Sequence, residues 1–362
     1  MKVPLCIASS ANGEAWEEQP LSLKAKSALL ALAFLPFSHC QSAAGTCWTP
    51  PQPRTVEETV LVAQNTPQAG ASSAHQSMAM LALSDGRQRA AYGAGLIIGW
   101  GQTGTRPNFA VVTAVGMSAL IAPFVFVGHA GDEAIVDVFA CATGNLHDMA
   151  ERAVSRITPT VIETIARRHE AGARLLIALP GSAARRETIW DIGAIAASRH
   201  REAKSLIASI LLASVDMITF VDPDTAPVKA GLVAMRNPVL RRIGAGEPFL
   251  APPTFRTSPA ANYLIHNGVL FADEGDAFAA EQAQLGKSAQ PAMWLLPAQE
   301  LFTTAELHHA RIAIASLRPN LNIQPAKSEF DPAFMRTLFE HAFRQGRMRR
   351  DWRSSLVDPT HR

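Results

Sequence analysis

Val111-Val112-Thr113-Ala114-Val115-Gly116-Met117-Ser118-Ala119-Leu120-Ile121-Ala122 reads as an apolar strand, a tight turn and the first residues of a helix. Gly116 stands at the apex of the turn, and the small residues Ala114 and Ser118 flank it. Glycine adopts the strained dihedrals of such an apex at little cost, and small neighbours let strand and helix approach closely. Working outward, Met78 to Leu83 is another apolar strand. It runs into the turn Ser84-Asp85-Gly86-Arg87-Gln88-Arg89-Ala90 and a small-residue helix from Ala91 to Trp100. A second strand–helix unit spans Phe109 to Phe126. A helix from Pro159 to Glu170, strands at Arg174 to Leu179 and Thr188 to Ile192, and a helix from Glu202 to Ser214 follow. Short apolar strands alternating with helices predict an α/β domain with a largely parallel central sheet covered on both faces.

The chain of 362 residues is long enough for one large α/β domain with extensions, or for two domains. Hydrophobic residues at 48% and charged ones at 18% describe a globular protein with a sizeable core. The net charge of +2 carries no electrostatic footprint for nucleic acid. Six Trp, sixteen Phe and ten Met suit an ordinary core as well as an apolar pocket, so they identify neither.

Residues 1–44 are expected to be a leader. Lys24 and Lys26 precede the apolar run Ala28 to Leu35, and the small residues Ser42-Ala43-Ala44 follow. This is the pattern of an export signal, and the run is short for a membrane span. The mature chain would then begin near Gly45, periplasmic or membrane-associated; a buried leader helix is the alternative. A lipoprotein signal ending at Cys40 is the minor form of this reading, because His39 precedes that cysteine where small residues are preferred. Residues 45–75 read as a Pro/Ser-rich linker, with Pro50, Pro51 and Pro53 near its start and Gly70-Ala71-Ser72-Ser73 near its end. The main domain, with a C-terminal helical extension, is expected over residues 76–362. Cys6, Cys40, Cys47 and Cys141 have no metal-ligand spacing, and the histidines are scattered, so neither a metal nor a cofactor is expected. Cleavage after Ala44 would leave Cys47 and Cys141, which can pair in an oxidising compartment.

The strand–turn–helix around Gly116 matches the frame of the serine-hydrolase nucleophile elbow, G-x-S-x-G, with glycine where the serine would be. The surrounding chain resembles the bacterial patatin-like phospholipases over roughly residues 76–350. That family has a G-G-G-x-R-G turn after its first strand, the elbow about thirty residues on, and a later D-G-G or D-G-A. Here the first turn keeps Gly86 and Arg89, and the elbow reads Ala114-Val115-Gly116-Met117-Ser118. Tyr92-Gly93-Ala94-Gly95-Leu96, Ala119-Leu120-Ile121-Ala122-Pro123-Phe124, Ile189 to Ser198 and Phe330 to Arg336 are similar as well. The resemblance implies a three-layer α/β/α fold and an ancestral lipid acyl hydrolase working through a Ser–Asp dyad.

Each part of that dyad chemistry is altered. The nucleophile position, Gly116, offers no oxygen or sulfur to form an acyl intermediate. Ser118 is the obvious substitute, yet it lies about 200° around the helix and about 3 Å further on. It reads better as a small residue where helix and strand meet; Ser84 is a second displaced candidate. The oxyanion-turn positions are Asp85, Gly86, Arg87 and Arg89. A carboxylate at Asp85 opposes developing negative charge, and the three charged residues are expected to form a solvated loop. The base position falls on His266 or Asn267 in Tyr263-Leu264-Ile265-His266-Asn267-Gly268-Val269, depending on how the D-G-x motif is aligned. Asn267 accepts no proton at neutral pH, whereas His266 can. The pair is expected in a surface turn with Gly268 at positive φ.

Ser214 to Pro223 departs from the family's loop at that place, and Gly244-Ala245-Gly246 is weak as a phosphate signal. Further on, Asp331 is a candidate N-cap and Pro332 a first helical residue. Phe334, Met335, Leu338, Phe339, Ala342 and Phe343 then form a stripe expected to pack on the sheet. The basic end from Arg344 to Arg353 can meet anionic headgroups or simply remain solvated. Taken together, the sequence predicts a catalytically inactive pseudo-hydrolase that keeps a lipid-sized pocket for a lipid or fatty-acyl ligand. The alternative is an active lipid esterase using Ser118. No protein partner is identified.

Overall fold

The computed structural model describes residues 51–52, 79–142, 144–179, 188–216, 261–269, 311–318, 321, 323, 326–328, 330–350 and 352–354. The expected leader with Cys40, all but two residues of the expected linker, and the segments 217–223 and 244–246 lie outside the described residues.

Among the described residues seven strands form one sheet. They are β1 (Ala79–Leu83), β2 (Val111–Val115), β3 (Arg174–Leu179), β4 (Thr188–Asp191), β5 (Ala261–Val269), β6 (Arg311–Leu317) and β7 (Trp352–Arg353). Their order is β4-β3-β2-β1-β5-β6-β7. The five inner strands are parallel, and β4 and β7 close the two edges antiparallel. β1 and β2 are buried along their whole length, as expected of parallel strands covered on both faces. The fold is therefore α/β with a mostly parallel mixed sheet.

Helix α1 (Ala90–Gly101) follows β1, and every one of its residues is buried. After β2 come α2 (Ala122–Val127), α3 (Asp132–Phe139), α4 (Leu146–Ser155) and α5 (Pro159–Glu170). Helix α6 (Ile192–Ala197) starts where β4 ends, capped by the Asp191 side chain, which accepts from the Ala194 N–H. Helix α7 (Ala203–Asp216) completes this half, and α8 (Pro332–Met348) precedes β7. The Asp331 carboxylate caps α8 by accepting from the N–H groups of Ala333 and Phe334, with Pro332 at its first turn. Arg349, at φ 52°, ends it in the left-handed region.

The apolar stripe of α8 is buried as expected, but it lies along α1. Added Cβ atoms on Gly95 and Gly99 would strike the Phe339 and Phe343 carbonyls, and one on Gly346 would strike the Leu96 carbonyl. The two helix backbones thus touch through small residues, which side chains of ordinary size would prevent. At the far end of α1, Trp100 packs on Tyr263 of β5 and Trp352 of β7, with ring centroids 4.8 and 5.0 Å apart.

Three local expectations need correction. The helix after Gly116 does not start directly: a 3₁₀ turn spans Gly116–Leu120, and the α-helix begins at Ala122 beside Pro123. 3₁₀ winding completes a turn off the strand in fewer residues than an α-helix does. His266 and Asn267 lie in strand β5 and are buried, not in a surface turn: β5 runs on beyond its pairing with β1, which ends at Ile265, and His266 still pairs with Ser316 of β6. Gly268 is not among the described glycines with positive φ. The irregularity that its sequence signals is a register shift in the β5–β6 pairing between His266 and Val269.

Candidate functional site

The strand order reverses at β1, whose neighbours β2 and β5 lie on opposite sides. In α/β sheets the crevice beyond the carboxyl ends of the strands at such a reversal is where ligands bind. Ser84-Asp85-Gly86 leaves β1 there, Gly116 leaves β2, and Asn267 stands near the end of β5. The three segments singled out from the sequence meet at this point.

Asn267 is the centre of the junction. Its amide nitrogen donates to the Ser84 carbonyl at 2.7 Å and to Ser118 Oγ at 2.9 Å. Its amide oxygen accepts from the Gly93 N–H at 2.9 Å, and its own backbone N–H donates to Ser84 Oγ at 2.9 Å. The partners fix the orientation of the amide: a carbonyl requires a donor and an N–H requires an acceptor. Gly86 and Gly93 are required by this contact. A Cβ on Gly86 would overlap the Asn267 Cβ, and one on Gly93 would lie 2.7 Å from Oδ1.

Ser118 has no exposed surface, and its hydroxyl donates to the Ser84 carbonyl at 2.7 Å. Ser84 is equally buried and donates to the Asp85 carbonyl at 2.8 Å. Each displaced-nucleophile candidate thus spends its proton on a backbone oxygen rather than on a base among the described residues.

Gly116 has φ 59°, the left-handed region in which an elbow residue is strained and glycine is not. Its carbonyl accepts from Ser214 Oγ of α7 at 3.3 Å. A Cβ at Gly116 would collide with the Asp85 carboxyl group, one oxygen of which would lie at 2.6 Å. The Asp85 carboxyl therefore fills the volume into which an apex side chain would project. Its Oδ1 accepts from the N–H groups of Gly86 at 2.7 Å, Arg87 at 3.1 Å and Met117 at 3.2 Å. Asp85 is 2% exposed, which overturns the expectation of a solvated charged loop. Burial pushes its carboxyl above the usual range, opposed by the three N–H donors and the charge of Arg87. Arg87 and Arg89 are only partly buried, and Arg87 adopts φ 50°. Such a conformation costs a non-glycine residue about 1–2 kcal/mol.

The bonds described above run to Asn267, not to His266. Alternation along β5 turns successive side chains to opposite faces, and Asn267 is the one that reaches Ser84 and Ser118. Burial, with the nearby charge of Arg89, lowers the His266 pKa from 6.5 to about 3. The imidazole is neutral in the folded protein and takes a proton more readily when unfolded. Between pH 6.5 and about 3 the unfolded state binds the extra proton, so His266 lowers stability as pH falls through that window. The slope is about 1.4 kcal/mol per pH unit at most. Asp85 acts in the opposite sense over part of the same range, since its raised pKa favours the folded state at low pH. The expected result is that a His266→Gln variant loses less stability than the wild type between pH 7 and pH 4.5 in urea melts. Parallel curves for the two proteins would contradict it.

Sequence reasoning missed Gly93 and Ser214 as parts of the junction. Gly93 acts through its backbone N–H, and the Ser214 hydroxyl reaches a backbone carbonyl 98 positions away, so neither role leaves a local signature. Among the described residues no group of His, Cys, Asp and Glu could hold a metal ion. No helix of the described residues is long and apolar enough to cross a membrane. The chain matches no protein-family model and no curated protein.

Proposed function

We propose that this chain is a patatin-like lipid acyl hydrolase that has lost its chemistry, built on the three-layer α/β/α form of the fold. The observation that carries the reading is the Asp85 carboxyl, buried in the space of the missing apex side chain and taking the N–H groups of Gly86, Arg87 and Met117. In acyl transfer those donors would have to face the developing oxyanion. Gly116 supplies no nucleophile, and the Asn267 amide supplies no base. The retained role is binding of a lipid or fatty-acyl ligand beside the filled junction. The rival reading, an active esterase using Ser118, is disfavoured by the buried, fully bonded state of that hydroxyl. The purified protein is expected to hydrolyse p-nitrophenyl butyrate no faster than buffer and to take no label from a fluorophosphonate probe. Labelling that disappears in Ser118→Ala would establish the rival.

Export belongs to the same proposal. It is supported by the sequence pattern of residues 24–44 and by Cys141, which is disulfide-bonded, as befits an oxidising compartment. Arg344, Arg347, Arg349 and Arg350 are exposed around the exposed Met348 at the end of α8, a surface suited to peripheral contact with anionic lipid. The mature chain is expected to begin near Gly45, which leaves Cys47 as the partner for Cys141. Intact mass before and after reduction reads both: a full-length cytosolic chain with free thiols would refute export, and a diacylglycerol adduct on Cys40 would make the protein a lipoprotein.

A further inference from the structure

We propose that the backbone N–H groups of Gly86, Arg87 and Met117 form a small-carboxylate site that the chain fills with its own Asp85, and that this site accepts a free monocarboxylate once the Asp85 side chain is removed. Two of the three bonds are local, and an aspartate in many turns would make them. The third is not. Met117 lies 32 positions along the chain, beyond a different strand, yet its N–H converges on the same oxygen, Oδ1. The carboxyl also occupies a definite volume, bounded by the position where a Cβ of Gly116 would stand. Burying a carboxylate without donors is costly, and these donors are what make the buried position tolerable. A bounded volume and converging N–H groups are two elements of a binding site, and here the occupant is covalently attached.

Aspartate and glycine differ by CH₂COO⁻, so Asp85→Gly removes a group of the size and charge of acetate and leaves its donors behind. In the native protein the site is closed to outside acids. The cradle exists whatever the ancestry of the chain, so its test is independent of the esterase assay.

The experiment compares the full-length wild type and Asp85→Gly by thermal melting at pH 7 in 100 mM sodium acetate and in 100 mM sodium chloride. The variant is expected to melt below the wild type in chloride and to gain about 3 °C or more in acetate. The wild type is expected to show no such difference between the salts. Pivalate, which carries the same charge on a bulkier body, should not replace acetate. If Asp85→Gly does not fold in chloride, refolding yield gives the same reading: recovery in acetate but not in chloride or pivalate supports the site. An equal acetate effect on both proteins would mean a general salt effect. A variant insensitive to acetate, folded or not, would make Asp85 a loop staple only. Either result overturns the proposal.

Discussion

Replacing Asn267 by aspartate is expected to destabilise the protein by about 3–5 kcal/mol at pH 7. The substitution is nearly isosteric, so the cost is electrostatic. Asn267 Nδ2 now donates to the Ser84 carbonyl at 2.7 Å, and that carbonyl is already an acceptor for Ser118 Oγ at 2.7 Å. An aspartate oxygen in the same place sets an acceptor against an acceptor in a buried site, with a new charge added. Acid should relieve part of the cost. A protonated aspartic acid has one O–H to offer, and its pKa here is raised above the unfolded value. The deficit relative to wild type should therefore shrink as pH falls through that raised pKa. Urea melts at pH 7 and pH 5 check both statements. A variant as stable as wild type at pH 7 would mean that the amide is not held as described. The surroundings of Asn267 are matched to an amide, so placing a carboxylate there alone attacks the fold.

The second large effect concerns Gly116→Ser. The left-handed conformation at φ 59° costs a serine about 1–2 kcal/mol. Its Cβ would also overlap the Asp85 carboxyl, which is held by three N–H donors. Moving that carboxyl aside breaks those bonds inside the protein, bringing the expected total to about 4 kcal/mol. Adding Asp85→Gly should return part of the loss, because the two substitutions compete for one volume. A double-mutant cycle by urea melting measures this coupling, and strictly additive effects would show that the two side chains do not share that space. Neither variant is expected to hydrolyse an ester, since Asn267 still takes no proton. Turnover by Gly116→Ser alone would place the base elsewhere.

The framework of this protein is legible in its sequence because it rests on local patterns. The apolar runs Ala79–Leu83, Val111–Val115 and Arg174–Leu179 are strands, and the capped segments at Thr158-Pro159 and Asp331-Pro332 open helices. Gly116 sits at an apex because the strand–glycine–helix pattern leaves few other solutions. His266-Asn267-Gly268 misleads because Asn and Gly usually signal a turn, whereas here they continue strand β5 beyond its pairing with β1, with His266 opposite Ser316 of β6 and the Asn267 N–H on Ser84 Oγ. The charged run Asp85-Gly86-Arg87 reads as solvated because charge usually is; the burial of Asp85 depends on an N–H from another loop. The choice between His266 and Asn267 is likewise invisible locally, since it follows from partners at Ser84, Gly93 and Ser118.

The central place of β1 bears on how the chain is made. Ala79 pairs with Ala261, so one edge of the first strand has no neighbour until the ribosome has delivered β5. At ordinary elongation rates that interval is roughly ten to forty seconds. Throughout it the nascent chain presents Ala79-Met80-Leu81-Ala82-Leu83, an apolar strand with an open hydrogen-bonding edge, which is a template for association with other chains. The same delay governs the junction, whose centre, Asn267, arrives with β5. Ser84 and Ser118 receive the Asn267 donors only once β5 is in place beside β1. A ribosome stalled before residue 261 therefore holds a half-sheet that chaperones have reason to shield, and the bonds centred on Asn267 form only as that exposure ends.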